Sequence, residues 1–174
     1  MDGNSFAKLF EEKEKEKTRK KEEEEKENLA VKALDDAATL LKDGAYEKAF
    51  EQANYSLELS NEVKNAKIAA CVLSLRGEIN FMLKNFAEAM EDQNRALTVN
   101  PKERIAYIRR AKLFLLVEQY SEAHNDIELA KELLKEPAEA LKQGGFSGLF
   151  KGLALDATDI EEIGKLEREI KKHL

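Results

Sequence analysis

The groups in this 174-residue sequence best suited to chemistry are His124, His173, Cys71 and the carboxylates running from Asp156 to Glu162. A nucleophile needs a base within hydrogen-bond reach and a third group to orient that base. His124 follows the small residue Ala123, and His173 stands beside the last residue. Neither is spaced from a cysteine or serine in a triad-like arrangement. Cys71 falls in the apolar run IAACVLSL, where cysteine behaves as a small hydrophobe. Asp156, Asp159, Glu161 and Glu162 lack the central glycine and ligand spacing of a calcium loop. Their placement suits the opening turn of a helix, where negative charge is stabilised. No glycine-rich phosphate loop is present. The residues therefore predict no enzyme activity, no metal and no cofactor.

Recognition remains, and composition narrows it. The net charge of −6 opposes non-specific nucleic-acid binding, which depends on neutralising phosphates. A single cysteine rules out an internal disulfide framework and fits a reducing compartment. Uncharged runs such as Ile68 to Leu75 fall far short of the ~20 residues that span a bilayer. The opening MDGNSF has neither a signal-peptide pattern nor a myristoylation glycine after Met1. The expected compartment is the cytoplasm, and a membrane-surface role is not expected.

The elements that would position a binding surface follow from self-similarity. Sliding RGEINFMLKNFAEAMEDQNRALTVNP by 34 positions sets Gly77 on Ala111, Phe86 on Tyr120, Ala89 on Ala123, Asp92 on Asp126 and Ala96 on Ala130. A third copy upstream aligns Tyr46, Ala49, Ser56 and Leu57 with Phe86, Ala89, Ala96 and Leu97 at an offset of 40. The extra residues are assigned to Val63–Ala69, lengthening the two flanking helices by about a turn each. Apolar residues at i, i+3 and i+4 give helical periodicity, and alanine at the crossings lets backbones approach. Asn100-Pro101 closes one helix, and Gly44 marks a turn between two others.

A small residue, an aromatic nine positions on, then an alanine three further, another alanine seven beyond that, and a closing proline, resembles the tetratricopeptide repeat. The resemblance covers about residues 30–135 and is weakest in the first copy, which lacks the proline. It implies an all-α fold, a right-handed superhelix of three antiparallel helix pairs with a C-terminal capping helix and a charged N-terminal helical arm. The expected organisation is an arm over 1–28, a repeat domain over 29–136 (repeats about 30–63, 70–103 and 104–137), a Gly/Phe-containing connector over 137–158 and a final helix over 159–174. Stacking is needed because one repeat cannot bury its own apolar face.

Residues 11–27 hold nine acidic and seven basic side chains, with Glu11–Lys15, Glu16–Lys20 and Glu22–Lys26 spaced to support a helix. The basic run Lys17–Lys21 is cancelled by Glu22–Glu25, so no polyanion site is expected there. Thr158 and Glu161 form a capping box, predicting a helix from about Asp159 with Ile160, Ile163, Leu166 and Ile170 on one face. The sequence F-x-x-L-F occurs twice, at Phe6, Leu9, Phe10 and at Phe146, Leu149, Phe150. Both are candidate docking motifs, and the second is expected to fold back over the repeats.

The resemblance also implies where a ligand lies: against the first helix of each repeat. The matching positions are Val31, Leu34, Ala38 and Leu41, then Cys71, Leu75, Glu78, Phe81 and Met82, then Ile105, Ile108, Arg109, Lys112 and Leu115. Family members that clamp acidic chaperone tails hold the terminal carboxylate with five polar residues. The corresponding positions here are Leu34, Ala38, Leu75, Ile105 and Arg109, of which only Arg109 matches. An apolar groove instead suits an amphipathic helix. The expected function is a protein-binding adaptor or scaffold, monomeric or weakly dimeric, that grips an apolar or amphipathic helical segment. The alternatives are a co-chaperone for acidic tails, or a structural subunit of a larger assembly.

Overall fold

The computed structural model of the chain describes residues 3–135 and 157–174, with side-chain surroundings over 11–133 and 160–174. Among the described residues there are seven α-helices and no strands: α1 (Gly3–Lys42), α2 (Tyr46–Glu62), α3 (Ala66–Met82), α4 (Phe86–Val99), α5 (Arg104–Leu116), α6 (Tyr120–Lys135) and α7 (Ala157–Ile170). Three-residue connections at 43–45, 83–85 and 117–119 reverse the chain, so α1–α2, α3–α4 and α5–α6 pack as antiparallel pairs. Each second helix also packs on the first helix of the next pair. The helices beside the Val63–Asn65 connection, α2 and α3, have 17 residues each, against 14 in α4 and 13 in α5.

Small residues make the crossings tight. Ala30 and Ala37 of α1 are inaccessible to solvent, as are Ala49 and Ala53 of α2. The Ser56 hydroxyl donates to the Ala30 carbonyl at 2.6 Å across this seam. Asn65 caps α3 by accepting from the Ile68 amide at 3.1 Å, while its own amide donates to Glu27 of α1 at 3.0 Å. One core runs from α1 through α4 to Ala106 of α5, and a second joins α5 and α6 to α7.

Helix α1 is unbroken from Gly3 to Lys42, so the arm expected over 1–28 is continuous with the first repeat helix. The boundary near residue 28 is a change of surroundings rather than of secondary structure. Up to residue 25 the described side chains are exposed and paired along the helix itself, as in Lys20–Glu16 at 2.7 Å. From Lys26, which meets Glu62 at 2.7 Å, the helix touches the body. At 1.5 Å per residue the free part projects roughly 35 Å.

Helix α7 packs on α6 and α5 much as α5 packs on α4 and α3, occupying the place of a further first helix. It begins at Ala157 rather than near Asp159, which puts Thr158 inside the first turn and not at the cap. Alanine is the strongest helix former and extends the helix past the capping-box signal. Ile163 and Ile170 are buried and Leu166 packs beside them, but Ile160 is 60% exposed. At about 100° per residue Ile160 falls at the edge of the stripe that the other three share. The expected connector over 137–158 lies almost wholly outside the described residues. No described helix is long and apolar enough to cross a membrane.

Candidate peptide-binding surface

The first helices of the pairs touch in series, α1 against α3 and α3 against α5, and so share one face. Val31, Ala38 and Leu41 of α1, Phe81 of α3, and Ile105 and Leu115 of α5 are half-buried. Met82 is 42% exposed and sits beside Phe81, whose ring meets Phe86 edge-on at 5.5 Å. Leu34, Leu75 and Ile108, expected on the ligand-facing floor, are instead buried in the core, as is Cys71. Each inner helix is flanked by neighbours on several sides. Its apolar stripe is therefore wider than one face, and these side chains fill helix–helix seams.

The centre of the face is charged and internally paired. Arg109 Nε lies 3.3 Å from the Glu78 carboxylate, and its Nη1 donates to the Ser74 hydroxyl at 2.8 Å. Lys112 Nζ lies 3.6 Å from the other Glu78 oxygen and also pairs with Glu162 of α7. The Arg109, Lys112 and Glu78 side chains are each only about a fifth exposed. Nearby, the Cys71 thiol donates to Glu103 at 3.4 Å. Burial pushes the Glu103 carboxyl up, against the pull of the Cys71 hydrogen bond and the Arg109 charge. Burial also pushes the Cys71 thiol well up, and the Glu103 charge adds to this. A thiol held protonated in this way is no activated nucleophile. Among the described residues no three His, Cys, Asp or Glu side chains gather as a metal site.

Of the expected site residues, the structure brings Glu78, Arg109 and Lys112 together as one cluster. Phe6, Leu9 and Phe10 belong to the outer end of α1, beyond the described side chains. Phe146, Leu149 and Phe150 lie outside the described residues altogether.

One recurring group escaped the sequence reading. Arg76 bonds Asp92 of its own pair through Nε at 2.9 Å and through Nη2, and reaches Asn54 of the preceding pair at 2.8 Å. Arg110 repeats this with Asp126 at 2.8 and 2.7 Å and with Asn94 at 2.8 Å. Each arginine braces a second helix against the one before it. The signal was available: Arg76 and Arg110 stand 34 apart, like Asp92 and Asp126, while Asn54 and Asn94 stand 40 apart. The Arabidopsis OM64 TPR domain superposes on this architecture with a TM-score of 0.61, covering 86% of this chain and 99% of that one at 19% identity. The chain has the tetratricopeptide-repeat fold. The second TPR of Spaghetti, bound to the HSP90 peptide SRMEEVD, shares this repeat architecture with a TM-score of 0.56 over 65% of the chain and 98% of its own length, at 21% identity. In sequence, DnaJ homolog subfamily C member 7 of Homo sapiens is 31% identical over an alignment of 147 residues that covers 79% of this chain. The chain spans 28% of that relative's length. No family model matches the chain.

Proposed function

We propose that this repeat array is a non-catalytic, cytoplasmic protein-binding adaptor whose inner face takes the apolar side of an amphipathic helix. The observation that carries this is the charge balance of the face. Its two cations are already held by Glu78, while Val31, Leu41, Phe81, Met82, Ile105 and Leu115 offer apolar surface around them. Helices that dock by i, i+3, i+4 and i+7 anchors need such surface and no unpaired cation.

A co-chaperone reading has one observation in its favour. The structurally similar Spaghetti domain is bound to an acidic HSP90 peptide, and Arg109 offers a guanidinium on the corresponding inner helix. Selection from a random 16-residue peptide display library, with free and blocked C-termini, separates the two. The adaptor reading expects enriched apolar residues at helical spacing, whatever the terminus, and loss of binding on Met82→Glu. Enrichment of acidic sequences only with a free C-terminus would replace it by the co-chaperone reading.

A further inference from the structure

The inner face contains a bound carboxylate already, and the chain itself supplies it. Glu78 presents one oxygen to Arg109 and the other to Lys112, from the helix next to theirs. A planar carboxylate shared between a guanidinium and an ammonium group is the arrangement an incoming acidic side chain or chain terminus would adopt. An external carboxylate would have to evict Glu78 first, leaving that charge partly buried without its partners, a large penalty. The exposure of about a fifth at all three side chains keeps water from screening this competition.

We infer that Glu78 is an intramolecular occupant of the Arg109–Lys112 pair and sets the specificity of the inner face against carboxylate-bearing peptides. This rests on the inner face being the peptide-binding surface. Neutralising Glu78 would release the Arg109 guanidinium and relieve Lys112 of one of its two carboxylates without stripping either of support, because Arg109 keeps the Ser74 hydroxyl and Lys112 keeps Glu162. The variant is therefore expected to stay folded and to acquire a preference for acidic ligands.

The test uses the full chain, fluorescein-labelled SRMEEVD and a labelled amphipathic helical peptide taken from the display selection. Glu78→Gln and Glu78→Ala are compared with the wild type by anisotropy, with circular dichroism to verify folding. Both variants should bind SRMEEVD about tenfold or more tightly than the wild type, the scale of one charge-assisted contact regained. The gain should shrink at 0.5 M salt and vanish in Glu78→Gln combined with Arg109→Gln. Equal affinities of wild type and both variants, or a gain that survives loss of Arg109, would overturn the inference. Affinity for the helical peptide reports on the underlying reading separately. Its absence in the wild type would sink the adaptor reading, yet would leave the gain for SRMEEVD standing.

Discussion

The second and third helix pairs, α3–α4 and α5–α6, share a 34-residue frame but close the same crossing with different chemistry. In the third pair Ala111 and Ile127 meet the core as fully buried apolar side chains. In the second pair the equivalent positions are Gly77 and Gln93, both buried. The Gln93 amide donates to the Ser74 carbonyl at 3.0 Å, and the Ser74 hydroxyl accepts from Arg109. The polar crossing of the second pair is thus linked to the inner face, whereas that of the third pair only packs. The Gln93 amide is only half satisfied: its nitrogen holds Ser74, the residue that orients Arg109, while its Oε1 is buried with no partner among the described residues, a polar group that costs stability.

The largest contrast should come from the braces. Asp92 accepts from Arg76 twice and from Asn80 at 3.1 Å, while Asp126 accepts from Arg110 alone among the contacts described. Removing one partner of a buried pair strands the other. Asp92→Ala should destabilise by about 3 kcal/mol and Asp126→Ala by about 2 kcal/mol in urea melts, given the extra donor left unpaired at the first site. Equal losses would mean that the second pair gains nothing from its additional polar contacts.

The sequence made the repeat legible because small residues at crossings tolerate little substitution. Ala89, Ala96, Ala123 and Ala130 are all fully buried where the 34-residue offset put them. Less of the binding face could be read. Periodicity says that Leu34, Leu75 and Ile108 are apolar and on an inner helix, but not which neighbour covers them. Pairing across helices was hidden for a different reason. Glu78 and Arg109 are 31 positions apart and belong to different repeats, so no local pattern marks their contact. The Arg–Asp–Asn braces were half visible: the 34-residue frame matches Asp92 with Asp126, but charged residues on helices usually face water, so their pairing with Arg76 and Arg110 did not follow from it.

Overpacking comes next in size. Ala89→Leu and Ala123→Leu should each destabilise by about 2 kcal/mol, because a crossing with no accessible space must open to admit the longer side chain. Unchanged thermal midpoints for both would break the assignment of these alanines to helix crossings.

Gly77→Ala probes the crossing directly. The added Cβ would run into the Gln93 amide nitrogen, so the amide must move and release Ser74. The expected loss is about 1.5 kcal/mol, combining overpacking with a strained hydrogen bond. Gly77→Ala with Gln93→Ile copies the third pair and should recover most of that loss while loosening Ser74. If the double variant is no more stable than Gly77→Ala alone, the two crossings are not interchangeable solutions of one frame.

The smallest effect tests whether the two pairs differ anywhere but at the crossing. Each turn between paired helices contains one residue with left-handed backbone: Gly44 at φ 76°, Lys84 at 65° and Glu118 at 60°. Only the first has the residue suited to it. A side chain in this region costs roughly 1–2 kcal/mol, while glycine gives back roughly 0.5–1 kcal/mol through the unfolded chain's greater freedom. Lys84→Gly and Glu118→Gly should therefore each stabilise by about 0.5 kcal/mol. Gly44→Ala should destabilise by about 1 kcal/mol from backbone strain alone, because its Cβ would meet nothing within 4 Å. The turns of the second and third pairs have matching hydrogen bonds, with Lys84 donating to Phe81 at 3.0 Å and Glu118 to Leu115 at 3.1 Å. Urea midpoints should accordingly move by the same amount in both pairs. A gain confined to one of them would locate the difference between the pairs in the turn and not in the Gly77–Gln93 crossing.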